Sequence, residues 1–439
     1  MKKIAPKILS GFKELLPKDQ MLFNNIKHTI EQTYQAYGFL PMDTPIMESA
    51  EVLLAKAGGE TEKQIYSFSK GDTNLCLRFD LTVPLARFVA QHQGQLNFPF
   101  RRYQIGKVYR GERAQKGRYR EFYQCDVDVV GNEKLDIIYD AEVAAVVLAV
   151  FNNLGLENAV LNISNRKLLA GLVEELGLTD KTTDILRLVD KLDKVGVSHL
   201  KELLHDTGIS KDNAEKILNF LSISGTSEEV ITNLKGFNVK NEMFLQGVQE
   251  LTSVVEGLKN FGLTEENFKI NLAIARGLDY YTGTVYETFI KGFENLGSVA
   301  SGGRYDNLAS NYTTKNLPGV GMAIGLTRLY DVLCDGNLVK QSLCSVSTKA
   351  IILPMDDSLT SYAIKTAQVL RQAGVNTEVY YENTKFKNKL AYVDKMGVEY
   401  AIIIGEEEVN QNKLTLKNLA KHTQNTITLD KAIQILQTN

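Results

Sequence analysis

One segment constrains the fold of this chain more than any other: a run of basic and aromatic residues that begins at Arg101. Its apolar pattern predicts two strands, around Tyr103–Tyr109 and Phe122–Val129, joined by a polar loop from Gly111 to Arg120. Residues 101–120 hold eight basic side chains and one acidic side chain, although the whole chain has a net charge of -2. Such a local excess predicts a long hairpin on which arginines converge, and it favours an anionic ligand.

The aromatic residues of this hairpin narrow the class of ligand. Five of them are interleaved with the basic residues: Tyr103, Tyr109, Tyr119, Phe122 and Tyr123. Guanidinium groups bind phosphate oxygens through paired hydrogen bonds, and aromatic faces stack on a base. The composition therefore predicts a nucleoside triphosphate lying on a sheet, and a solvated charged face is the ordinary alternative for a basic run.

Two common nucleotide-binding motifs are absent from the sequence. The only Gly-Lys pair, Gly106-Lys107, is followed by valine, so there is no G-x-x-x-x-G-K-[ST] loop. The glycines at 319, 321 and 325 lack the spacing of a dinucleotide fingerprint, and no clear strand precedes them. A Rossmann-type oxidoreductase is therefore disfavoured, and the segment is expected to lead into a helix from Leu326 to Cys334.

Three shorter segments carry polar residues of the kind that line ligand pockets: Arg78–Thr82, Arg276–Gly283 and Ala300–Asp306. Asp80 and Thr82 would share a face of an extended segment and could hold an ammonium group. An arginine beside two tyrosines is costly to bury without partners. Each segment alone is also compatible with an ordinary turn or bend.

Composition excludes several other classes of protein. The four cysteines contain no C-x-x-C pair, and the five histidines have no metal-binding spacing, so neither disulfides nor a protein metal site is expected. The basic start lacks an apolar signal region, and the strongest apolar run, Val143 to Phe151, is too short to span a membrane. These features favour a cytoplasmic protein.

The pattern of elements predicts a domain organisation. Residues 1–335 are expected to form one core, interrupted by a helical insertion at residues 166–262. A polar linker at residues 336–348 then leads to alternating strands and helices at residues 349–439, which predict a separate α/β domain.

In combination, these segments resemble class II aminoacyl-tRNA synthetases. Tyr109–Gln124 resembles their motif 2, Gly319–Arg328 their motif 3, and Tyr37–Pro45 their motif 1. Arg276–Tyr281 and Ala300–Tyr305 resemble the two signatures of the histidyl-tRNA synthetase family. The resemblance covers essentially the whole chain. It implies an α+β catalytic domain with an antiparallel sheet, a helical insertion, and a C-terminal α/β anticodon-binding domain.

The resemblance also implies an activity. Members activate L-histidine with ATP and Mg²⁺, release pyrophosphate, and transfer histidine to the 3′ end of histidine tRNA, as homodimers in the cytoplasm. One alternative is the regulatory paralogue of histidine biosynthesis, which binds histidine without charging tRNA. Another is a tRNA-sensing module without catalysis. The arginines at 110, 276 and 328 and the presence of residues 349–439 favour the enzyme over both.

Site residues are implied one by one through the motifs. For ATP, Arg110 matches the α-phosphate arginine, Arg328 the terminal-phosphate arginine and Phe122 the adenine-stacking residue, with Glu112 and Arg118 beside them. The resemblance implies catalytic roles for Arg110, Arg276 and Gln124, with Arg276 between carboxylate and phosphate. The implied histidine pocket comprises Asp80, Leu81, Thr82, Arg110, Gln124, Asp128, Arg276, Tyr280 and Tyr281. Within that pocket, Asp80, Thr82 and Gln124 match the amino end, and Asp128 and Tyr281 match the imidazole pair.

The sequence departs from the common bacterial pattern of this family at a few positions. Asp80 and Asp128 stand where many bacterial members carry glutamate, and Ala114 replaces a common proline of the hairpin. The form of Arg78–Thr82 is closer to the eukaryotic branch.

Overall fold

The computed structural model describes residues 4–55, 60–190, 192–274, 280–340, 343 and 346–438. The chain divides into two compact units, residues 1–14 with 25–340 and residues 15–24 with 341–439. Across the described ranges, no helix combines the length and the apolar character that a membrane crossing requires.

The first unit is built on an eight-stranded sheet and a smaller three-stranded one. Its strands are β1 (Leu40–Pro41), β2 (Met47–Ser49), β3 (Ser67–Lys70), β4 (Thr73–Leu77), β5 (Phe100–Tyr109), β6 (Glu121–Val130), β7 (Ala159–Asn165), β8 (Phe268–Ile270), β9 (Thr284–Ile290), β10 (Ala300–Tyr305) and β11 (Gly319–Gly325). The large sheet has the order β1-β5-β6-β11-β10-β9-β7-β8, and the small one β2-β4-β3. The strand β1 lies at an edge, as the prolines of this segment predict.

The predicted hairpin forms the second and third strands of the large sheet. Strands β5 and β6 pair antiparallel, with Arg102 opposite Asp128 and Gly106 opposite Gln124. On the other side of β6, β11 places Gly321 opposite Asp128. The other pairs of this sheet are antiparallel as well, except for β1 with β5 and β7 with β8, which are parallel.

Helix α1 (Pro17–Ala36) contributes its residues from 25 onward to this unit. The next helices of the unit are α2 (Ala50–Leu54), α3 (Glu60–Gln64), α4 (Thr82–His92) and α5 (Ile138–Leu154). Helix α5 contains the apolar run noted in the sequence, and its residues from Val143 to Leu148 are all buried. A helix that is apolar on every side must lie in the interior. After the helices of the insertion, α12 (Leu326–Asp335) follows the last strand of the sheet directly.

The predicted helical insertion is confirmed. It comprises α6 (Arg166–Glu175), α7 (Thr182–Val189), α8 (Leu192–Asp206), α9 (Lys211–Leu221), α10 (Ser227–Lys235) and α11 (Glu242–Asn260). It leaves the large sheet after β7 and returns at β8, which pairs with β7 in parallel. Helix α8 is interrupted at Gly196, whose φ of 77° is not helical.

The sequence pattern does not locate two strands correctly. The segment from Leu272 to Ile290 also has a strand-like pattern, but its described residues form a strand only at Thr284–Ile290, and residues 275–279 lie outside the described residues. Gly319–Gly325 leads into a helix as predicted, but it also forms the central strand β11, which was not predicted. Glycine-rich segments have low strand propensity, so the pattern alone did not indicate a strand.

The second unit has a five-stranded sheet of its own, in the order β13-β12-β14-β15-β16. The strands are β12 (Ala350–Pro354), β13 (Thr377–Val379), β14 (Tyr400–Ile404), β15 (Leu414–Asn418) and β16 (Thr423–Ile427), and the helices are α13 (Thr360–Gln372), α14 (Phe386–Met396), α15 (Glu406–Asn410) and α16 (Leu429–Thr438). Ile352, Leu370, Ile402 and Leu436 pack in its own buried core. The short elements β16 and α15 were not predicted, but the predicted fold class is confirmed.

Candidate active site

The centre of the large sheet carries a row of buried acceptor groups along β6. Gln124, Asp126 and Asp128 alternate along the strand, so their side chains share one face. Their exposed fractions are 8%, 2% and 2%. Two of these side chains have an oxygen without a hydrogen-bond partner among the described residues, Gln124 Oε1 and Asp126 Oδ1. Buried acceptors of this kind are costly unless a donor-rich ligand satisfies them.

The glycines of the neighbouring strands make room for these side chains. A Cβ atom at Gly321 would lie 2.0 Å from Asp128 Oδ1, and one at Gly319 would lie 2.3 Å from the Tyr305 ring. A Cβ atom at Gly303 would lie 2.8 Å from the Tyr281 ring. Larger residues would therefore fill the space that these polar groups occupy.

Asp128 is held by two buried partners. Tyr305 Oη donates to Asp128 Oδ1 at 2.8 Å, and Arg102 Nη2 lies 2.7 Å from Asp128 Oδ2. Burial raises the pKa of Asp128, while the guanidinium and the tyrosine hydrogen bond act in the opposite direction. No hydrogen bond joins Asp128 to Tyr281, its predicted partner, among the contacts of the described residues. Burial is the main cause that raises the pKa of Tyr281, and the charges of Asp80 and Asp128 raise it further. Both carboxylates therefore lie within electrostatic range of the Tyr281 phenol.

Asp126 is the site residue that the sequence reasoning missed. Burial raises its pKa well above the usual value, and the nearby charges of Asp128 and Asp80 raise it further, against Arg102 and Arg110. Its position two residues from both Gln124 and Asp128 was the available signal, because alternate strand residues share a face.

Asp80 stands at the start of α4, where it binds both the backbone and a tyrosine. Its Oδ1 accepts from the Val83 backbone N–H at 3.0 Å, and its Oδ2 accepts from Tyr280 Oη at 3.1 Å. Burial raises the pKa of Asp80. The expectation that Asp80 and Thr82 share an extended segment was wrong, because Thr82 is the first residue of α4. The Leu81 carbonyl accepts from Arg102 Nη2 at 3.2 Å.

Beside the acceptor row lies an open cavity with an empty volume of about 600 Å³. Six residues predicted for the site line it: Arg110, Glu112, Arg118, Phe122, Gln124 and Arg328. Arg110 Nε donates to the Phe79 carbonyl at 3.0 Å, and its Cζ lies 5.3 Å from the centre of the Phe122 ring. The cavity thus combines guanidinium groups with an aromatic face, as the hairpin composition predicts.

The arginines around the cavity repel one another. Arg328 donates from Nε to the Gly117 carbonyl at 2.8 Å and from Nη1 to the Ser298 carbonyl at 2.5 Å. Burial lowers the pKa of Arg328, and the charges of Arg118 and Arg110 lower it further, against Glu112. Three arginines that converge here, with the Glu112 carboxylate nearby, favour a bound polyanion such as a triphosphate.

Arg276, the predicted bridge between carboxylate and phosphate, lies outside the described residues. Within the described part of the chain, no group of three or more His, Cys, Asp or Glu side chains is arranged to hold a metal ion.

Comparison with known proteins supplies the family. The family model for histidyl-tRNA synthetase matches residues 11–329, and that for an anticodon binding domain matches residues 349–439. The histidine–tRNA ligase of Clostridium tetani is 49% identical over 434 residues, which are 99% of this chain and 98% of that protein. Its counterpart from Clostridium acetobutylicum is 48% identical over 429 residues, covering 98% of this chain and 99% of that one.

A solved structure agrees with these matches. The crystal structure of histidyl-tRNA synthetase from a Nostoc species is 37% identical, with a TM-score of 0.89, and the match covers 99% of this chain and 100% of that chain. The buried acceptor row, the arginine-lined cavity and these full-length matches lead to one conclusion: the chain belongs to the histidyl-tRNA synthetase family, whose members are aminoacyl-tRNA ligases.

Proposed function

We propose that this chain is a histidine–tRNA ligase, which activates L-histidine with ATP and then transfers it to the 3′ end of histidine tRNA. One observation carries the proposal: two sites of opposite character meet at Gln124. Gln124 belongs to the buried acceptor row of β6 and also lines the arginine-rich cavity. The acceptors suit the N–H groups of an ammonium and an imidazole, and the guanidinium groups suit a triphosphate.

In the cavity, each side chain has a role toward ATP. Arg110 holds the α-phosphate, Phe122 lies against the adenine, and Arg328 holds the terminal phosphate. Glu112 and Arg118 complete the binding site. The stacking of Arg110 on Phe122 supports this arrangement, because it puts a guanidinium at the edge of the base site.

In the acceptor row, each side chain has a role toward histidine. Asp80, Gln124 and Thr82 take the amino end, with Leu81 and Tyr280 packed beside them. Asp128 and Tyr281 read the two imidazole nitrogens. A pocket that pairs both nitrogens rejects an apolar isostere, because the isostere would leave buried polar groups unpaired.

The first reaction is a nucleotidyl transfer. An oxygen of the histidine carboxylate forms a bond to the α-phosphorus, and the bond from that phosphorus to the β-bridging oxygen breaks. Pyrophosphate leaves with the electron pair, and histidyl-adenylate remains bound. Arg110 stabilises the charge on the α-phosphate, Gln124 orients histidine, and we assign to Arg276 the position between the carboxylate and the phosphate.

Mg²⁺ enters with ATP in this proposal. Mg²⁺ prefers oxygen ligands and is commonly held by one or two carboxylates together with phosphate oxygens. Glu112 is the carboxylate that lines the cavity, so it fits this use. The remaining ligands would be phosphate oxygens and water, and the cation would neutralise charge on the triphosphate.

We propose that residues 1–335 form the catalytic core around the insertion at 166–262, and that residues 336–348 link it to an anticodon-binding domain at 349–439. The exposed Lys385 and Lys387 can reach tRNA phosphates. The nearby Lys389 is not available for such a contact, because its side chain is buried and its Nζ donates to the Pro354 carbonyl at 2.7 Å.

We also propose that the enzyme works as a homodimer in the cytoplasm. Large apolar side chains are exposed on and beside β1, β2 and β3: Leu40 at 64%, Ile46 at 40%, Met47 at 55% and Phe68 at 40%. A two-fold interface through the motif 1 segment would cover them. Analytical sedimentation should find a dimer, and an active monomer at working concentration would contradict this part of the proposal.

A charging assay tests the proposed function against the regulatory alternative. With ATP, labelled histidine and tRNA from a bacterium, the ligase should attach histidine to the tRNA. A regulatory paralogue would bind histidine without attaching it. Binding of histidine with no charged tRNA would therefore contradict the proposal.

A further inference from the structure

The loop that joins β5 to β6 needs support from outside itself. It spans residues 110–120 and carries Arg110, Glu112 and Arg118 of the cavity. Near its tip, Gln115 and Arg118 form a bridge across Gly117, whose φ is 73°, and at its base the Arg110 backbone N–H donates to the Arg120 carbonyl at 2.9 Å. Arg120 Nε also donates to the Glu112 carbonyl at 3.1 Å. Long loops are mobile unless other elements hold them, so contacts outside the loop fix where its arginines lie.

One face of α12 holds this loop at three points. Arg328, Asp331 and Asp335 follow one another at spacings of three and four residues, which places them on one helix face. Arg328 Nε donates to the Gly117 carbonyl at 2.8 Å, and Asp331 Oδ2 accepts from Tyr119 Oη at 2.5 Å. Lys116 Nζ lies 2.9 Å from Asp335 Oδ2.

A short N-terminal segment, Ser10 to Lys13, holds the other side of the loop. The Gly11 carbonyl accepts from the Arg120 backbone N–H at 2.7 Å. Lys13 pairs with Asp331 Oδ1, and its Nζ lies 5.6 Å from the centre of the Tyr119 ring. Gly11 has a φ of 85°, a conformation that favours glycine.

Asp331 joins these three elements. It is buried, with 9% exposed, and each of its carboxylate oxygens binds a different element, Tyr119 of the loop and Lys13 of the N-terminal segment. The loop and α12 need this junction because their arginines repel one another. Arg110 and Arg118 belong to the loop, and Arg328 belongs to α12.

We propose that Asp331, Tyr119 and Lys13 form a positioning cluster that holds the loop arginines beside Arg328 before ATP arrives, and so sets the affinity for ATP. The inference rests on the proposed function, since ATP is the anion that the arginines bind. Tyr119 lines the cavity beside the loop arginines, whereas Asp331 and Lys13 do not, so the effect of these two residues passes through the loop. Asp331 and Lys13 are therefore positioning residues rather than catalytic ones.

The direct test is Tyr119→Phe, which removes only the hydroxyl that binds Asp331. In histidine-dependent ATP–pyrophosphate exchange, the KM for ATP should rise about 3- to 10-fold, as expected for the net contribution of one typical hydrogen bond, whereas the KM for histidine should change less than about 2-fold. Tyr392→Phe is the matched control, because its hydroxyl also donates to a carboxylate, that of Glu378 at 2.8 Å. The control should leave both KM values unchanged.

Two further measurements separate positioning from simple stability. Lys13→Met should raise the KM for ATP, and Lys13→Arg should restore it, while thermal unfolding of the full-length protein stays near the wild-type temperature. Trypsin should cut the loop at Arg113, Lys116 or Arg118 faster in Tyr119→Phe than in the wild type, without any ligand. This proteolysis does not depend on the reaction, so it still tests the cluster if the wild type proves to have no exchange activity.

Three outcomes would overturn the inference. The first is an unchanged KM for ATP in Tyr119→Phe together with unchanged trypsin cleavage. The second is an equal rise of both KM values, and the third is a loss of activity that follows a lower unfolding temperature. A wild type without exchange would instead contradict the proposed function.

Discussion

The buried ion pair between Arg102 and Asp128 should affect both the stability of the protein and the binding of histidine in the proposed pocket. Arg102 is fully buried, at 0% exposure, and lies 2.7 Å from Asp128 Oδ2. Removing one partner of a buried pair leaves the other charge without compensation. Removal of the Asp128 carboxylate should therefore lower the stability of the protein more than it lowers the affinity for histidine.

Asp128→Ala should lower the free energy of unfolding by about 3–5 kcal/mol, the usual cost of breaking a buried pair. Urea unfolding measures it. Asp184→Ala is the control, because Asp184 pairs with Arg187 at 3.7 Å on the surface, where the loss should stay within about 1 kcal/mol. Equal losses in the two variants would contradict the account. Histidine affinity is better measured in Asp128→Asn, which keeps the shape of the side chain.

Asp126→Asn tests the buried acceptor row through pH. Burial raises the pKa of Asp126 above its usual value near 3.8, so the folded state binds this proton more tightly than the unfolded state. The contribution of Asp126 to the free energy of unfolding is present below its usual pKa, and it is lost as pH rises through the raised pKa of the folded state. Asparagine does not titrate, so the variant should gain stability relative to the wild type between pH 5 and pH 8. Unfolding temperatures at both pH values check this, and a constant difference would contradict it.

Single residues were predictable where a motif fixes their role. Arg110, Phe122 and Arg328 were implied by the family motifs that the sequence resembles, and all three line one cavity. The burial of Arg102 was not predictable, because it depends on the register that sets Arg102 opposite Asp128 across two strands. Sequence alternation shows which residues share a face, but it does not show which strand lies beside them.

At the scale of elements, the proposed ATP site depends on the contact between the β5–β6 loop and α12. Arg328→Ala should raise the KM for ATP about 10-fold or more, because hydrogen bonds to charged groups contribute about 1.5–3 kcal/mol. The KM for histidine should change little. Pyrophosphate exchange measures both values. The unfolding temperature should not fall, because the variant loses a guanidinium whose pKa is lowered by burial and by Arg118 and Arg110.

Arg328→Lys serves as the partner variant. It keeps the charge but loses the planar fork, so it should recover only part of the ATP affinity. A KM for ATP in Arg328→Ala equal to that of the wild type would show that Arg328 does not bind ATP.

Elements with strong periodicity were predictable, and glycine-rich or short ones were not. The hairpin strands, α5 and most of the second unit follow the sequence pattern closely. Strand β11 was missed because its glycines serve the pocket: Gly321 gives space to Asp128 and Gly319 to Tyr305. Glycines are needed here to leave space for these side chains, and the segment forms a strand although glycine has a low strand propensity.

At the scale of the whole molecule, the two units have separate sheets in the described chain. The second unit buries its own apolar core, with Ile352 and Ile402 at 0% exposure. Removal of residues 349–439 should therefore spare pyrophosphate exchange more than tRNA charging. Both rates are measured on the same truncated protein, with circular dichroism to check folding. An equal loss of the two activities in a folded protein would contradict the proposed division of labour.

The central claim is that this molecule selects and activates histidine, and one measurement tests it most directly. ATP–pyrophosphate exchange should be run with each standard amino acid in turn, in the presence of Mg²⁺ and without tRNA. The account predicts exchange with histidine and only background exchange with the others, since the proposed pocket would pair both imidazole nitrogens. Exchange with a different amino acid, or histidine binding without any exchange, would contradict it.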